Sequence, residues 1–163
     1  MKPKKSVTIG KELKGQIVRQ RKWQRIILLS VIGYEAAGAL TGGALLVAAP
    51  DGRLMDMPVN IMHGVFRDFL IPGLILFGLG ILNTTAFFAV LLRIRAYWVL
   101  AGLALGGLVV WFIVEIIILQ ELHWLHIMWG LPVVLGILAT IPLVSSRLRG
   151  IPVMDNDPLQ TEN

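Results

Sequence analysis

Four long apolar runs constrain this chain more than any other feature of its sequence. They cover about residues 26–49, 69–92, 97–119 and 124–144, and a helix needs roughly 20 residues to cross the hydrocarbon core of a bilayer. Hydrophobic residues make up 56% of the 163 residues and charged residues 15%, whereas a soluble domain carries about 25% charged residues. The sequence therefore predicts an all-α integral membrane four-helix bundle, formed by residues 26–146.

The charges between the apolar runs predict the orientation of this bundle. Residues 1–25 carry nine basic residues and one acidic residue, whereas residues 50–68 have a net charge of −1. Basic residues also follow the second and fourth runs, namely Arg93, Arg95, Arg147 and Arg149. Because Lys and Arg are concentrated in short cytoplasmic loops, we expect a multi-pass protein of the cell's inner (plasma) membrane with both termini in the cytoplasm.

The two terminal segments are expected to have different partners. The basic segment 1–25 could in principle bind nucleic acid, but it directly precedes an apolar run, which favours anionic lipid headgroups as its partner. No nucleic acid partner is therefore predicted. Residues 147–163 contain prolines and acidic residues without apolar periodicity, a composition typical of a disordered cytoplasmic tail.

The loop between the first two runs has a pattern of its own. Pro58 to Phe69 places apolar residues at helical spacing, which predicts a short amphipathic helix that either lies on the outer membrane surface or caps the bundle. The apolar positions are Met62, Val65, Phe66 and Phe69. Asp68 then precedes the second run, and Pro72 lies at a position suited to the first turn of a helix. We expect Asp68 to cap that helix.

The first apolar run contains a carboxylate, Glu35, within the stretch VIGYEAAGALTGGALL. Gly38 and Gly42 follow it at i+3 and i+7 and therefore share its helical face. Small residues at such spacing let two helices approach closely. Glu35 is therefore expected to face neighbouring helices and not lipid.

The third run repeats this arrangement. Glu115 follows Trp111 by four residues, and Gly102 and Gly106 form a GxxxG pair beside the same face. Glu35 lies about 14 Å along its run, near the midplane, and Glu115 lies about 27 Å along its run. A direct contact is not expected at this difference in depth, so each acid should have its own partners. The candidates for Glu35 are Tyr34, Asn83, Thr84 and Thr85, and those for Glu115 are His63, His123 and His126.

Two interpretations of the intramembrane acids stay open. An ionised carboxylate at this depth costs several kcal/mol, so such acids are usually paired, protonated or functional. One interpretation is a ligand- or proton-binding site, for which the candidates are Glu35, Tyr34, Glu115, Trp111, Asp68 and His63. The other is a neutral acid that fixes the helix register through hydrogen bonds.

The residue inventory limits the cofactor chemistry. The chain has no cysteine, which excludes disulfides, thiol catalysis, thiolate metal sites and dithiol–quinone oxidoreduction. His123 and His126 have a spacing that places both imidazoles on one helical face, but His123 is expected at a membrane interface, where polar residues are common. No metal or other cofactor is predicted.

The motifs GYEAAGALTGG, PDGRLMDMP and DFLIPGLIL, over residues 30 to 95, are together similar to an uncharacterised group of small four-span bacterial inner-membrane proteins. The resemblance implies a bacterial inner-membrane address and a shared architecture. It also implies that Glu35, Gly38, Asp68 and Pro72 belong to the common pattern of the group. It implies no activity.

Three functional hypotheses follow. The first is a non-enzymatic accessory, assembly or small-ligand-binding protein that packs against itself or another membrane protein through its glycine-rich faces. The second is a small transporter or channel component in which Glu35 binds a proton or cation. The third is an enzyme acting on lipid or quinone through Asp68, His63 and His126.

Overall fold

The computed structural model describes residues 4–120 and 124–148, and this part of the chain is helical, with no strand. The helices are α1 (Lys4–Ala48), α2 (Leu70–Leu91), α3 (Tyr97–Leu119) and α4 (Trp124–Leu148), with a one-turn 3₁₀ helix at Val59–Met62. Three stretches are long and apolar enough to cross a membrane, namely Lys22–Ala48, α2 and α3. The shorter apolar stretch His126–Ile141 lies in α4. The predicted all-helical architecture is confirmed, and three of the predicted runs form helices that could span a membrane. The membrane four-helix bundle and the crossing of the fourth run stay predictions.

Helix α1 is longer than its apolar run. It begins at Lys4 and continues without a break through the basic segment, since no proline interrupts the sequence after Pro3. Helix α4 includes Arg147 and Leu148, which the sequence had assigned to the disordered tail. The rest of that predicted tail, residues 149–163, lies outside the described residues.

The four helices pack pairwise around an apolar core. α1 packs against α2 and α4, and α3 packs against the same two helices. The core residues that these helices share include Leu28, Ile32, Leu105, Leu108 and Val133. Their burial fixes which face of each helix points inward, and Glu35 lies on the inward face of α1.

Glycines set the close approach of α1 and α2. A β-carbon at Gly43 would lie 2.5 Å from the backbone nitrogen of Phe77, and one at Gly80 would lie 2.7 Å from that of Leu40. Because these neighbours are backbone atoms, they cannot yield as a flexible side chain would. Gly73 makes a similar contact, with the β-carbon of Leu46 at 2.7 Å. The sequence pattern does not distinguish these three glycines from the others.

The four glycines that the sequence predicts to pack helices divide into two pairs. On α1, a β-carbon at Gly38 would meet Trp129, and one at Gly42 would lie 3.3 Å from Leu76. On α3, β-carbons at Gly102 and Gly106 would have no described atom within 4 Å. The α1 pair therefore packs inside the described chain, whereas the α3 pair faces outward from it.

The segment between α1 and α2, residues 49–69, forms a cap over one end of the helices. The predicted amphipathic helix over Pro58–Phe69 is wrong beyond the single turn Val59–Met62. It ends there because His63 and Gly64 have φ angles of 51° and 81°, a left-handed conformation that terminates helices. The apolar pattern is met in part: Met62 and Phe69 are buried, but Val65 is 58% exposed.

Hydrogen bonds attach the cap to the helices. Asp68 Oδ1 accepts a hydrogen bond from the backbone N–H of Leu70, the first residue of α2, at 2.9 Å. The N-cap of α2 is Phe69, which has no side-chain capping bond, so Asp68 lies one residue before the N-cap. The Phe69 N–H donates to the Pro50 carbonyl at 2.8 Å. His63 Nδ1 lies 3.1 Å from the Ile118 carbonyl oxygen, which connects the cap to α3. The cap is therefore bonded both to α2 and to α3.

Candidate functional site

Glu35 lies in the interior of the described helices. Only 2% of the residue is exposed, and it shares its helical face with the buried residues Leu28, Ile32 and Ala39. The predicted inward orientation of Glu35 is therefore confirmed. A carboxyl group in this position has lost its water and needs a partner within the protein.

The partners predicted on α2 are engaged elsewhere. Asn83, Thr84 and Thr85 each donate a side-chain hydrogen bond to the carbonyl four residues earlier on their own helix; the acceptors are Leu79, Gly80 and Ile81, at 2.9, 2.8 and 2.9 Å. Such bonds satisfy short polar side chains within a helix. The expectation that these donors bond Glu35 is therefore wrong.

Two buried oxygens have no hydrogen-bond partner among the described residues: Oε1 of Glu35 and Oδ1 of Asn83. Helices α1 and α2 are antiparallel, and two contacts show which of their residues lie at the same level. Gly33 of α1 faces Phe87 of α2, and Leu40 of α1 faces Gly80 of α2. In this register Asn83 is two residues from the level of Glu35, about 3 Å along the axis. Two unsatisfied acceptors therefore lie at nearly the same depth.

Helix α4 covers the turn of α1 that contains Glu35. The rings of Trp129 and Tyr34 are stacked, with centroids 4.6 Å apart, and the Trp129 ring also contacts Gly38. In the sequence of α1, Glu35 lies between Tyr34 and Gly38, the two residues that Trp129 contacts. The predicted candidate Tyr34 is therefore a packing partner of Trp129 and is 42% exposed.

A second group of predicted residues meets beneath the cap. Glu115 and Trp111 line a cavity of about 60 Å³, together with residues of the cap and of α1 and α2. Glu115 Oε2 lies 4.0 Å from His126 Nε2, so one of the three predicted histidine partners is close. His63 contacts the Ile118 carbonyl instead, and His123 lies outside the described residues.

The two carboxylates belong to separate sites. Glu35 does not line the cavity beside Glu115, as the predicted difference in depth implied. Within residues 4–120 and 124–148, no group of three or more His, Asp or Glu side chains is placed to hold a metal ion. The predicted candidate Asp68 does not line the cavity and accepts a hydrogen bond from the Leu70 N–H at the start of α2.

The structure also shows features that the sequence interpretation missed. The Nη2 of Arg25 donates a hydrogen bond to the Leu91 carbonyl at 2.8 Å, where α2 ends. Met57 and Phe66 of the cap complete the cavity beside Glu115. The methionines and aromatic residues of PDGRLMDMP and its continuation were the available signal, but their sequence spacing does not reveal which cavity they line.

No protein-family model matches the chain, and no curated protein or solved structure shows significant similarity to it.

Proposed function

We propose that the chain is a four-span protein of the bacterial inner membrane, with both termini cytoplasmic, and that it is a non-enzymatic accessory or assembly subunit. Three apolar helices and the net charge of +8 over residues 1–25 support this placement. The basic segment then lies at the cytoplasmic surface, where anionic lipid headgroups attract it. The partner is a second copy of the chain or another membrane protein.

One observation carries the accessory role: the outward face of α3. Gly102 and Gly106 lie on it with no described atom near their would-be β-carbons, beside side chains that are largely exposed; these are Leu103, Val110 and Ile113, at 58%, 61% and 53%. A pair of glycines four residues apart between larger apolar residues forms a groove into which another helix packs.

Native mass spectrometry from nanodiscs tests this role. We expect the wild-type chain to be released as an oligomer or with a partner, and the double variant Gly102→Leu/Gly106→Leu to be released alone. The matched control is Gly78→Leu on α2, an exposed position that also has no described atom within 4 Å. If the α3 variant keeps its partner, or if the control loses it equally, the proposal fails.

A second candidate function is supported by the buried oxygens of Glu35 and Asn83. Both are acceptors without a donor among the described residues, and a proton or a small cation would satisfy them. In this alternative the protein is a small transporter or channel component, and Glu35 is its ion-binding carboxylate.

Flux measurements distinguish the two functions. Vesicles containing the purified chain are loaded with a pH-sensitive or a sodium-sensitive dye, and an ion gradient is applied. The transport function predicts a flux that Glu35→Gln abolishes, because the amide cannot carry the charge. The accessory function predicts no flux above that of empty vesicles, with wild-type and Glu35→Gln chains alike.

A further inference from the structure

The cavity beneath the cap has walls that belong to several elements. Leu46 of α1, Leu76 of α2, Trp111 of α3 and Phe66 of the cap all line it. Its volume of about 60 Å³ exceeds the 10–15 Å³ that one water molecule needs. The cavity is therefore large enough for a small molecule or for one group of a larger one.

The lining combines aromatic rings with one charged side chain. Phe66, Phe69 and Trp111 contribute the rings, and Met57 and Met62 contribute polarisable thioethers. Glu115 is the one ionisable residue among the described residues of the lining. Aromatic faces together with a carboxylate form the kind of site that binds quaternary ammonium ions, because the ring quadrupole and the negative charge both attract a cation that is apolar on its surface.

The position of Glu115 leaves its carboxylate available to such a cation. The side chain is 35% exposed, and its Oε2 lies 4.0 Å from Nε2 of His126, at the outer limit of an ion pair. That distance exceeds a hydrogen bond. An ionised carboxylate among apolar walls is stabilised by a counter-charge brought close to it.

We propose that this cavity binds a quaternary ammonium group, with Glu115 supplying the charge and Phe66, Phe69 and Trp111 the cation–π contacts. The group is that of a free small ion, such as choline, or of a choline-type lipid headgroup. A neutral molecule of the same shape gains only the apolar contacts. This property is independent of the accessory role, which depends on the opposite, outward face of α3.

Isothermal titration calorimetry tests the proposal with choline and with its uncharged isostere 3,3-dimethylbutan-1-ol. The full chain is placed in phosphatidylglycerol nanodiscs, and the heat of titrating empty nanodiscs is subtracted. We expect choline to bind at least about tenfold more tightly than the isostere. Equal affinities for the two compounds, or no saturable binding of choline, overturn the proposal.

Three variants locate the site. Glu115→Gln is expected to weaken choline binding by about tenfold or more, whereas the control Asp56→Asn, which removes an exposed acid of the cap, changes it by less than about twofold. If Glu115→Gln does not fold, Phe66→Leu provides the test, since it removes a ring but keeps an apolar wall, and it should weaken choline more than the isostere. Equal losses in Glu115→Gln and Asp56→Asn would mean that the attraction is only a surface charge effect.

Nanodiscs that contain phosphatidylcholine identify the source of the group. Weaker binding of free choline in these discs shows that the lipid headgroup competes for the cavity, and unchanged binding shows that the site takes the free ion. Both results support a quaternary ammonium site. Loss of choline binding on adding neutral phosphatidylethanolamine in equal amount contradicts it, because that headgroup lacks the quaternary ammonium group.

Discussion

The indole ring of Trp129 lies against Gly38, in the space that a β-carbon at position 38 would occupy. The same ring is stacked on Tyr34 at an interplanar angle of 23°. One aromatic side chain of α4 thus packs against one turn of α1, and this turn also contains Glu35. The contact is specific to glycine at position 38, because any larger residue displaces the ring.

The substitution Gly38→Ala is therefore expected to destabilise the protein. Displacing a packed ring costs about 1–3 kcal/mol, of which the better helix propensity of alanine offsets about 1 kcal/mol. Unfolding in detergent micelles, followed by tryptophan fluorescence, measures the change. In a Trp129→Leu background the cost of Gly38→Ala should largely disappear; an equal cost in both backgrounds means that the Gly38–Trp129 contact is not its cause.

The sequence alone predicts the helices well where an apolar run has clear ends. α2 and α3 begin and end within one residue of the predicted runs 69–92 and 97–119. Arg93, which adopts a left-handed φ of 55°, separates these two runs, and a basic residue after a long apolar run is visible in the sequence. Length and charge determine such ends, so no tertiary information is needed.

Helix-to-helix contacts are less predictable. Gly102 and Gly106 have the better-known GxxxG spacing, yet it is Gly43 and Gly80 that meet a neighbouring backbone. A glycine permits close approach on whichever face it lies, and only the packing of the whole chain decides which faces meet. The same limit applies to the cap. The apolar spacing predicts a stripe that contains both Met62, which is buried, and Val65, which is exposed, and it does not reveal that His63 adopts the left-handed conformation that ends the helix.

The sequence predicts which residues lie at the candidate site around Glu35, but it does not predict which hydrogen bonds they make. The inward position of Glu35 follows from the small residues around it. The sequence does not show that the Asn83 amide donates to the Leu79 carbonyl of its own helix and not to Glu35. Local i−4 bonds of this kind compete with contacts between helices, and a helical wheel shows only the direction of a side chain.

The unsatisfied Glu35 oxygen leads to a prediction about stability. A buried polar atom without a partner costs about 1–3 kcal/mol. Glu35→Met, which keeps an unbranched side chain and removes the polar atoms, is therefore expected to raise the free energy of unfolding by about this amount. Chemical unfolding in micelles measures it, with Glu35→Gln as the polar control that should show no gain. A loss of stability in Glu35→Met would reveal a bond that the carboxyl group makes.

Arg25 gives a prediction for the opposite end of the helices. Its guanidinium donates to the Leu91 carbonyl at the end of α2, where a positive charge is favourable because the carbonyls of a helix end are unpaired. Arg25→Gln should lower the free energy of unfolding by about 1–2 kcal/mol. Lys22→Gln removes the same charge from an exposed position on α1 and should have little effect. Equal effects of the two variants would assign the loss to the net charge of the segment instead.

Two glycines of the cap share a backbone conformation and differ in their surroundings. Gly52 and Gly64 have φ angles of 79° and 81°, which cost an alanine about 1–2 kcal/mol at either position. A β-carbon at Gly52 would also collide with the Met57 carbonyl oxygen and lie 2.9 Å from the Phe69 ring, whereas one at Gly64 would meet nothing within 4 Å. Gly52→Ala should therefore lower the unfolding temperature clearly more than Gly64→Ala, as scanning fluorimetry in micelles can measure.

Because the Gly52 turn also holds the cap over the cavity, Gly52→Ala should weaken choline binding as well. Equal unfolding temperatures and equal choline affinities of the two variants would show that only the backbone conformation matters.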